Sequence, residues 1–276
     1  MTDPTRHVSR ARILAIRGGT VEERDDTLVG EEPMEIRAAG PGQDPVAVAI
    51  TMRTPGSEAE LAVGFLRTEG LLADGEVAAI EFGDPATLSQ PDDTVIVRLN
   101  RPFDASIVPE RHFVATASCG ICGKASLDEV AVRCDPIPPG PVVSRDVILA
   151  LPGRLREAQA VFERTGGLHA AGLFDPSGAL LALREDVGRH NALDKLVGWA
   201  VLAGLTPLNE RILMVSGRVS LEIIQKAAVA GIPIVCAVSA PSDLAVEAAQ
   251  RFGQTLVGFL RGDGFNVYTG RARLRV

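Results

Sequence analysis

The sequence predicts a mixed α/β protein (α+β overall), with a small β-rich region followed by a larger region built on a parallel sheet. In residues 211–260, short apolar segments alternate with amphipathic helical segments in the order βαβαβ. Crossovers of this kind are right-handed, so these strands should run parallel, with helices over the sheet. The chain of 276 residues is long enough for two compact regions.

The composition indicates a globular protein. Hydrophobic residues make up 46% and charged residues 23% of the chain, which excludes a disordered protein. An aromatic content of 4% and a net charge of −7 argue against binding to nucleic acid or to anionic membranes. Residues 1–12 lack the apolar core of a signal peptide, and no later segment is apolar enough to span a bilayer. We therefore expect a cytoplasmic protein.

The N-terminal part carries signals for secondary structure but none for chemistry. We expect residues 1–20 to be a tail and residues 21–110 to form the β-rich region. Within it, Val46–Met52 and Thr94–Leu99 have the composition of strands. Ser57 is the predicted N-cap of a helix that follows the first of them.

The second region is predicted to span residues 111–276. It should contain a strand that leads into a cysteine-bearing turn, a helix, a hairpin and the βαβαβ unit. The predicted strands are Arg111–Ala117, His169–Phe174, Ala179–Leu183, Arg211–Ser216, Pro233–Val238 and Thr255–Leu260, and the predicted helices are Val147–Phe162, a helix that opens near Ala192, Leu221–Ala230 and Leu244–Phe252.

The strongest chemical signal is a C-x-x-C motif formed by Cys119 and Cys122 in a glycine-flanked turn. Lys124 and the start of a following helix favour a thiolate there. Thiols stay reduced in the cytoplasm, so a reactive pair is expected rather than a structural disulfide. C-x-x-C is also half of many zinc sites, but the sequence contains no second such motif.

Two further groups of polar residues could take part in a site. The segment Glu185–Asn191 opens a helix, and it fits either a capped, solvated helix start or a polar site. The loops Ser216–Arg218, Ser239–Asp243 and Arg261–Gly264 follow the predicted parallel strands. Their small, hydroxyl and arginine side chains suit a phosphate or nucleotide, although Ser and Asp are also ordinary helix caps.

Three motifs together resemble one known family. The segments Ser118–Gly123, Glu185–Lys195 and Val215–Ser220, in this order, look like the FdhD family of formate dehydrogenase accessory sulfurtransferases. The resemblance extends over nearly the whole chain apart from the N-terminal tail. It implies a C-terminal region with the three-layer fold of cytidine deaminases, and a homodimer.

The resemblance also implies a function. Members of the family carry sulfur from a cysteine desulfurase to the molybdenum bis(molybdopterin guanine dinucleotide) cofactor before it enters formate dehydrogenase. The persulfide carrier maps onto Cys119, with Cys122 as an accessory thiol. GDP is the expected analogue of the cofactor, and the protein itself should hold no metal. The cofactor-binding segment maps onto Phe259, Leu260, Arg261, Gly262, Asp263 and Gly264.

Three other functions fit parts of the sequence. A zinc-dependent deaminase needs H-x-E before P-C-x-x-C, whereas His112 precedes Phe113 and Cys119 follows Ser118. A thioredoxin-like oxidoreductase would have an aromatic lead-in to its cysteines and an early βαβ unit. An interaction module with a structural zinc at the C-x-x-C motif stays open. Electrostatics alone does not choose between the two cysteines as nucleophile, because both lie near Lys124.

Overall fold

The structure is a computed structural model that describes residues 8–83, 91–108 and 137–275. Its N-terminal part has a two-stranded antiparallel ribbon, β1–β2, and a four-stranded sheet in the order β4-β3-β6-β5. In that sheet β3 and β6 are parallel, and the other neighbouring strands are antiparallel. The elements are β1 (Val8–Arg17), β2 (Thr20–Val29), β3 (Glu32–Ala39), β4 (Val46–Arg53), α1 (Glu58–Thr68), β5 (Val77–Phe82) and β6 (Thr94–Leu99).

The ribbon corrects the expectation of an N-terminal tail. Residues 8–17 form strand β1, which pairs along its whole length with β2. Ala11, Ile13 and Ala15 alternate with more exposed side chains, which is the period of two that a strand requires. Arg10, Arg12 and Arg17 make this segment look like a polar tail. The boundaries at residues 20 and 110 stay predictions.

Helix α1 covers one face of the N-terminal sheet. Its Leu61 and Leu66 are buried against Ile36 and Val97 of the two central strands. Ser57 precedes the helix as predicted, but its backbone is left-handed (φ 60°) and its side chain makes no capping hydrogen bond.

The C-terminal part is built on a six-stranded sheet in the order β13-β12-β11-β10-β8-β9. Strands β10, β11 and β12 are parallel, which confirms the predicted βαβαβ unit. Strands β8, β9 and β13 join it through antiparallel pairs. The elements are β7 (Val143–Ser144), α2 (Arg145–Ala158), α3 (Ala160–Thr165), β8 (His169–Phe174), β9 (Leu180–Asp186), α4 (Arg189–Leu202), β10 (Ile212–Val215), α5 (Leu221–Val229), β11 (Ile234–Ala237), α6 (Asp243–Arg251), β12 (Thr255–Arg261), β13 (Gly264–Thr269) and β14 (Leu274–Arg275).

Helices cover both faces of this sheet. Apolar side chains of α4, α5 and α6 form one core against it. Apolar side chains of α2 form a second core on the opposite face. The predicted mixed α/β fold, with a three-layer C-terminal region, is therefore confirmed. No helix within the described ranges is long and apolar enough to cross a membrane.

The predicted helix Val147–Phe162 is two helices, α2 and α3, that meet at Gln159. The Glu185 carboxylate, at the end of β9, accepts hydrogen bonds from the backbone N–H groups of Val161 and Phe162 at 3.2 and 3.0 Å. It thereby satisfies donors at the start of α3, as a capping side chain would. Because this cap is distant in sequence, the local pattern could not indicate the break.

The two regions meet where α1 crosses α4. A Cβ atom added to Gly64 would lie 1.8 Å from the Asp194 carbonyl oxygen, and one added to Gly198 would lie 1.8 Å from the Glu60 carbonyl oxygen. Only residues without a side chain allow this backbone approach.

Candidate functional site

Polar residues gather at the edge of the large sheet where the parallel strands end. Strand β8 is antiparallel to both β9 and β10, so His169 at its start lies beside Asp186 at the end of β9. The Ser216 Oγ, just beyond β10, accepts a hydrogen bond of 2.9 Å from the Ala170 backbone N–H. The structure therefore brings together two segments that the sequence singled out, Glu185–Asn191 and Val215–Ser220.

His190 joins the starts of α4 and α5. Its Nε2 lies 2.6 Å from Oε2 of Glu222 and 3.3 Å from Oγ of Ser220. Burial alone would raise the pKa of Glu222, but the hydrogen bond and the charge of His190 hold that pKa below its usual value of 4.5. An ionised Glu222 carboxylate at neutral pH follows from this arrangement.

His169 lies in a cationic environment. Its ring packs against Gly217, since a Cβ added there would be 3.2 Å from the His169 Nδ1. Burial lowers the pKa of His169 below its usual value of 6.5, and the charges of Arg189, His190 and Arg218 lower it further, against a smaller opposing effect of Asp186. At neutral pH the imidazole is therefore uncharged.

The segment Glu185–Lys195, named the α4 motif from here on, also has a side that faces the N-terminal region. There the Asp186 Oδ2 lies 2.7 Å from the Lys195 Nζ and accepts a hydrogen bond of 3.1 Å from the Thr54 N–H. Its Oδ1 accepts hydrogen bonds from the Gly188 N–H at 2.8 Å and the Asn191 Nδ2 at 3.2 Å. The Lys195 ammonium also donates to the Thr54 carbonyl at 2.8 Å. These charges are buried and paired, as a structural role requires.

A second buried pair involves Asp194, the residue before Lys195 on α4. The Lys226 Nζ lies 2.9 Å from both carboxylate oxygens of Asp194, and the Thr68 Oγ1 donates to Asp194 at 2.7 Å. Burial raises the pKa of Asp194 despite these contacts, whereas Asp194 keeps the pKa of Lys226 above its usual value although burial opposes this. Because both carboxylate oxygens bond to the ammonium, we take the pair to be ionised, a link between α1, α4 and α5.

The segment to which the resemblance assigns cofactor binding is the β12–β13 hairpin. Phe259 has a left-handed backbone (φ 51°), and its N–H donates to the Ser239 carbonyl at 3.1 Å. The Arg261 guanidinium lies 5.7 Å from the centre of the Phe259 ring, and both side chains are exposed. Leu260 is fully buried in the core on the α2 side of the sheet. Gly262 and Asp263 form the turn, and Gly264 begins β13.

The predicted sulfur-carrying residues Cys119 and Cys122 lie outside the described residues, as do His112 and Lys124. Within the described ranges, no cluster of histidine, cysteine or carboxylate side chains is arranged to hold a metal ion. Cys236 on β11 is fully buried, and this burial raises the pKa of its thiol. It is an inert core residue, as its apolar strand predicts.

The family follows from a comparison with known proteins. A model of the FdhD/NarQ family matches residues 29–275. This chain belongs to the FdhD/NarQ family. The match includes the C-x-x-C motif, the α4 motif and the hairpin, so the resemblance found in the sequence is confirmed.

Relatives in that family match almost end to end. Proteins named "Sulfur carrier protein FdhD" are 49% identical in Streptomyces avermitilis, over 98% of this chain and 96% of the relative, and 45% identical in Sulfurisphaera tokodaii, over 97% and 99%. A crystal structure from Desulfotalea psychrophila, assigned as a formate dehydrogenase accessory protein, has a TM-score of 0.74 and 23% identity. It covers 97% of this chain and 99% of its own, and it shares the fold.

Sequence reasoning missed two residues of the polar cluster at the sheet edge. His169 was recognised only as the start of a strand, and Glu222 only as part of a helix. Neither carries a local signal, because each acquires its partners from a distant segment. The antiparallel pairing of β8 with β9 and β10 places His169 at this edge, and the contact with His190 brings Glu222 to it.

Proposed function

We propose that this chain carries sulfur as a persulfide on Cys119, from a cysteine desulfurase to the molybdenum bis(molybdopterin guanine dinucleotide) cofactor, before that cofactor enters formate dehydrogenase. The observation that supports this is the family match over residues 29–275, which contains both cysteines of the C-x-x-C motif. Relatives at 45–49% identity bear the name of sulfur carriers.

The loading step is a displacement at sulfur. The Cys119 thiolate attacks the outer sulfur of the desulfurase persulfide, the sulfur–sulfur bond of the donor breaks, and the desulfurase cysteine leaves as a thiolate. One persulfide is lost and one is formed, so no external oxidant or reductant is needed. Cys122 serves as an accessory thiol, and Lys124 favours the thiolate form of the pair.

The acceptor binds, in this proposal, at the β12–β13 hairpin. Arg261 and Phe259 lie together and exposed there, so a guanine can stack on the aromatic ring while the guanidinium contacts a phosphate. Leu260 supports the hairpin from the core rather than touching ligand. From the same resemblance we infer a homodimer whose partners are the desulfurase and the dehydrogenase, and the composition of the sequence favours the cytoplasm as its location.

Formate dehydrogenase activity tests the proposal in cells that lack the native protein. Restored activity is expected with the parent chain, none with Cys119→Ala, and partial activity with Cys122→Ala. Cys236→Ala is the matched control, since its thiol is buried in a strand and should not be required. Full activity with Cys119→Ala would reject the proposal, and one zinc per chain lost on replacing either motif cysteine would favour the structural-zinc module instead.

A further inference from the structure

Two arginines at the carboxyl edge of the large sheet lack carboxylate partners. Within residues 8–83, 91–108 and 137–275, the side chains of Arg189 and Arg218 form neither an ion pair nor a hydrogen bond. The two nearby carboxylates are already engaged, Asp186 with Lys195 and Glu222 with His190. The edge therefore carries a positive charge that the described part of the chain does not neutralise.

The side chains of His169 and Arg189 meet at Gly217, which Arg218 directly follows in the chain. A Cβ atom on Gly217 would lie 3.2 Å from the His169 Nδ1 and 4.0 Å from the Arg189 Cδ, so both side chains border this glycine. The Nε of Arg189 is buried and has no hydrogen-bond acceptor. A buried donor of this kind costs free energy unless a ligand supplies the acceptor.

We propose that His169, Arg189 and Arg218 form a phosphate-binding site at Gly217. Arginine pairs are suited to phosphate oxygens because each guanidinium can donate two parallel hydrogen bonds. A neutral His169 adds one further donor without a charge of its own. The absent side chain at position 217 leaves room for the His169 ring and the Arg189 side chain to lie against the backbone.

This site rests on the proposed function and deepens it, because it assigns a place to the phosphates of the cofactor. Two loops connect it to the hairpin. The Val219 N–H donates to the Ala240 carbonyl at 3.2 Å, and the Phe259 N–H donates to the Ser239 carbonyl at 3.1 Å. The edge from Gly217 to Phe259 is thus continuous, and an extended dinucleotide can lie along it.

Titration calorimetry with inorganic pyrophosphate, and separately with GDP, tests the site. Arg189→Gln and Arg218→Gln should each weaken binding of pyrophosphate by about tenfold or more, the expected loss of a charge-assisted contact. Arg211→Gln is the matched control, because Arg211 directly precedes β10 and so lies at the opposite edge of the same sheet. It should bind within about twofold of the parent, since it removes the same charge at a distance.

Each outcome decides the inference. No binding of pyrophosphate by the parent, or equal affinities in all three variants, overturns it. Arg218 is exposed, so its variant gives an answer even if Arg189→Gln fails to fold. If Arg261→Ala loses GDP binding while Arg189→Gln and Arg218→Gln retain it, the hairpin stays the proposed binding site and the site at Gly217 is rejected. Normal dehydrogenase activity with Cys119→Ala, together with a tenfold loss of pyrophosphate affinity in Arg218→Gln, would instead reject the proposed function and keep the site.

Discussion

The two sides of the α4 motif differ in how their charges are satisfied. Toward the N-terminal region, Asp186 pairs with Lys195 and Asp194 pairs with Lys226, and all four side chains are buried. Toward the sheet edge, Arg189 lacks any partner among the described residues. The polar cluster of the sequence therefore forms two groups: a structural clamp, made of the pairs Asp186–Lys195 and Asp194–Lys226, and the edge where we propose that an anion binds.

The difference gives a rule for this motif. Buried charges persist only when paired and hydrogen-bonded, so a complete set of partners indicates a contribution to folding. A buried cationic donor without a partner, such as the Arg189 Nε, favours a ligand that supplies the acceptor. Substitutions on the clamp should reduce stability, and substitutions on the sheet edge should reduce binding.

The largest effect is expected at the clamp. Lys195→Met leaves the buried Asp186 carboxylate without its cation, which should reduce the free energy of unfolding by about 3–5 kcal/mol. Urea unfolding followed by circular dichroism measures this. The double variant with Asp186→Asn should recover part of the loss, because it removes the unpaired charge. A loss below about 1 kcal/mol in the single variant would contradict the structural role, since that is the size of an exposed ion pair.

The helix crossing beside the clamp should be nearly as sensitive. Gly198→Ala places a methyl group against the Glu60 carbonyl oxygen, where an added Cβ would lie only 1.8 Å away. We expect a loss of about 3 kcal/mol, at the upper end of overpacking costs. Thermal unfolding of Gly153→Ala is the control, since that helical glycine has nothing within 4 Å and alanine there should stabilise slightly. Similar melting temperatures for both variants would show that α1 and α4 are not in close contact.

On the ligand side, Arg261→Ala should weaken GDP binding by about 1.5–3 kcal/mol, the value of a charge-assisted hydrogen bond to phosphate. Its free energy of unfolding should stay close to that of the parent, because the side chain is exposed. Calorimetric titration gives the affinity. Unchanged affinity would show that Arg261 does not bind the ligand. A large loss of stability would contradict the expectation that only substitutions at the clamp reduce the free energy of unfolding.

The smallest effect concerns pH. Because the folded pKa of His169 lies below its usual value of 6.5, the unfolded chain binds a proton more readily, and stability should fall as the pH drops through about 6.5. Glu222 acts in a separate window, since its lowered pKa contributes stability that is lost below about 4.5. His169→Asn should flatten the dependence between about pH 7.5 and 5.5. An unchanged slope in that range would place His169 in a solvent-like environment.

The sequence predicted those parts of the fold that depend on local patterns. The apolar runs of β10, β11 and β12 are continuous because both faces of a parallel strand are covered, so they were recognisable. Strand β1 was missed because Arg10, Arg12 and Arg17 make the segment look polar, although Ile13–Ile16 is an apolar run. The break between α2 and α3 was missed because its cap, Glu185, comes from a distant strand.

The site was predictable only in part. The loops after β10 and β11 and the hairpin were identified from where parallel strands end, and they form one edge. The division of the α4 motif depends on which neighbour each side chain meets. Asp186 and Lys195 meet Thr54, while His190 meets Glu222, and no periodicity distinguishes these outcomes.

The most direct test of the account is the intact mass of the protein after incubation with a cysteine desulfurase and cysteine. The parent should gain about 32 Da per persulfide sulfur, reversibly with a reductant. Cys119→Ala should not gain this mass, and Cys122→Ala should retain part of it. Persulfide that persists in Cys119→Ala and vanishes in Cys122→Ala would reverse the assignment, and persulfide that persists when both cysteines are replaced would contradict the mechanism.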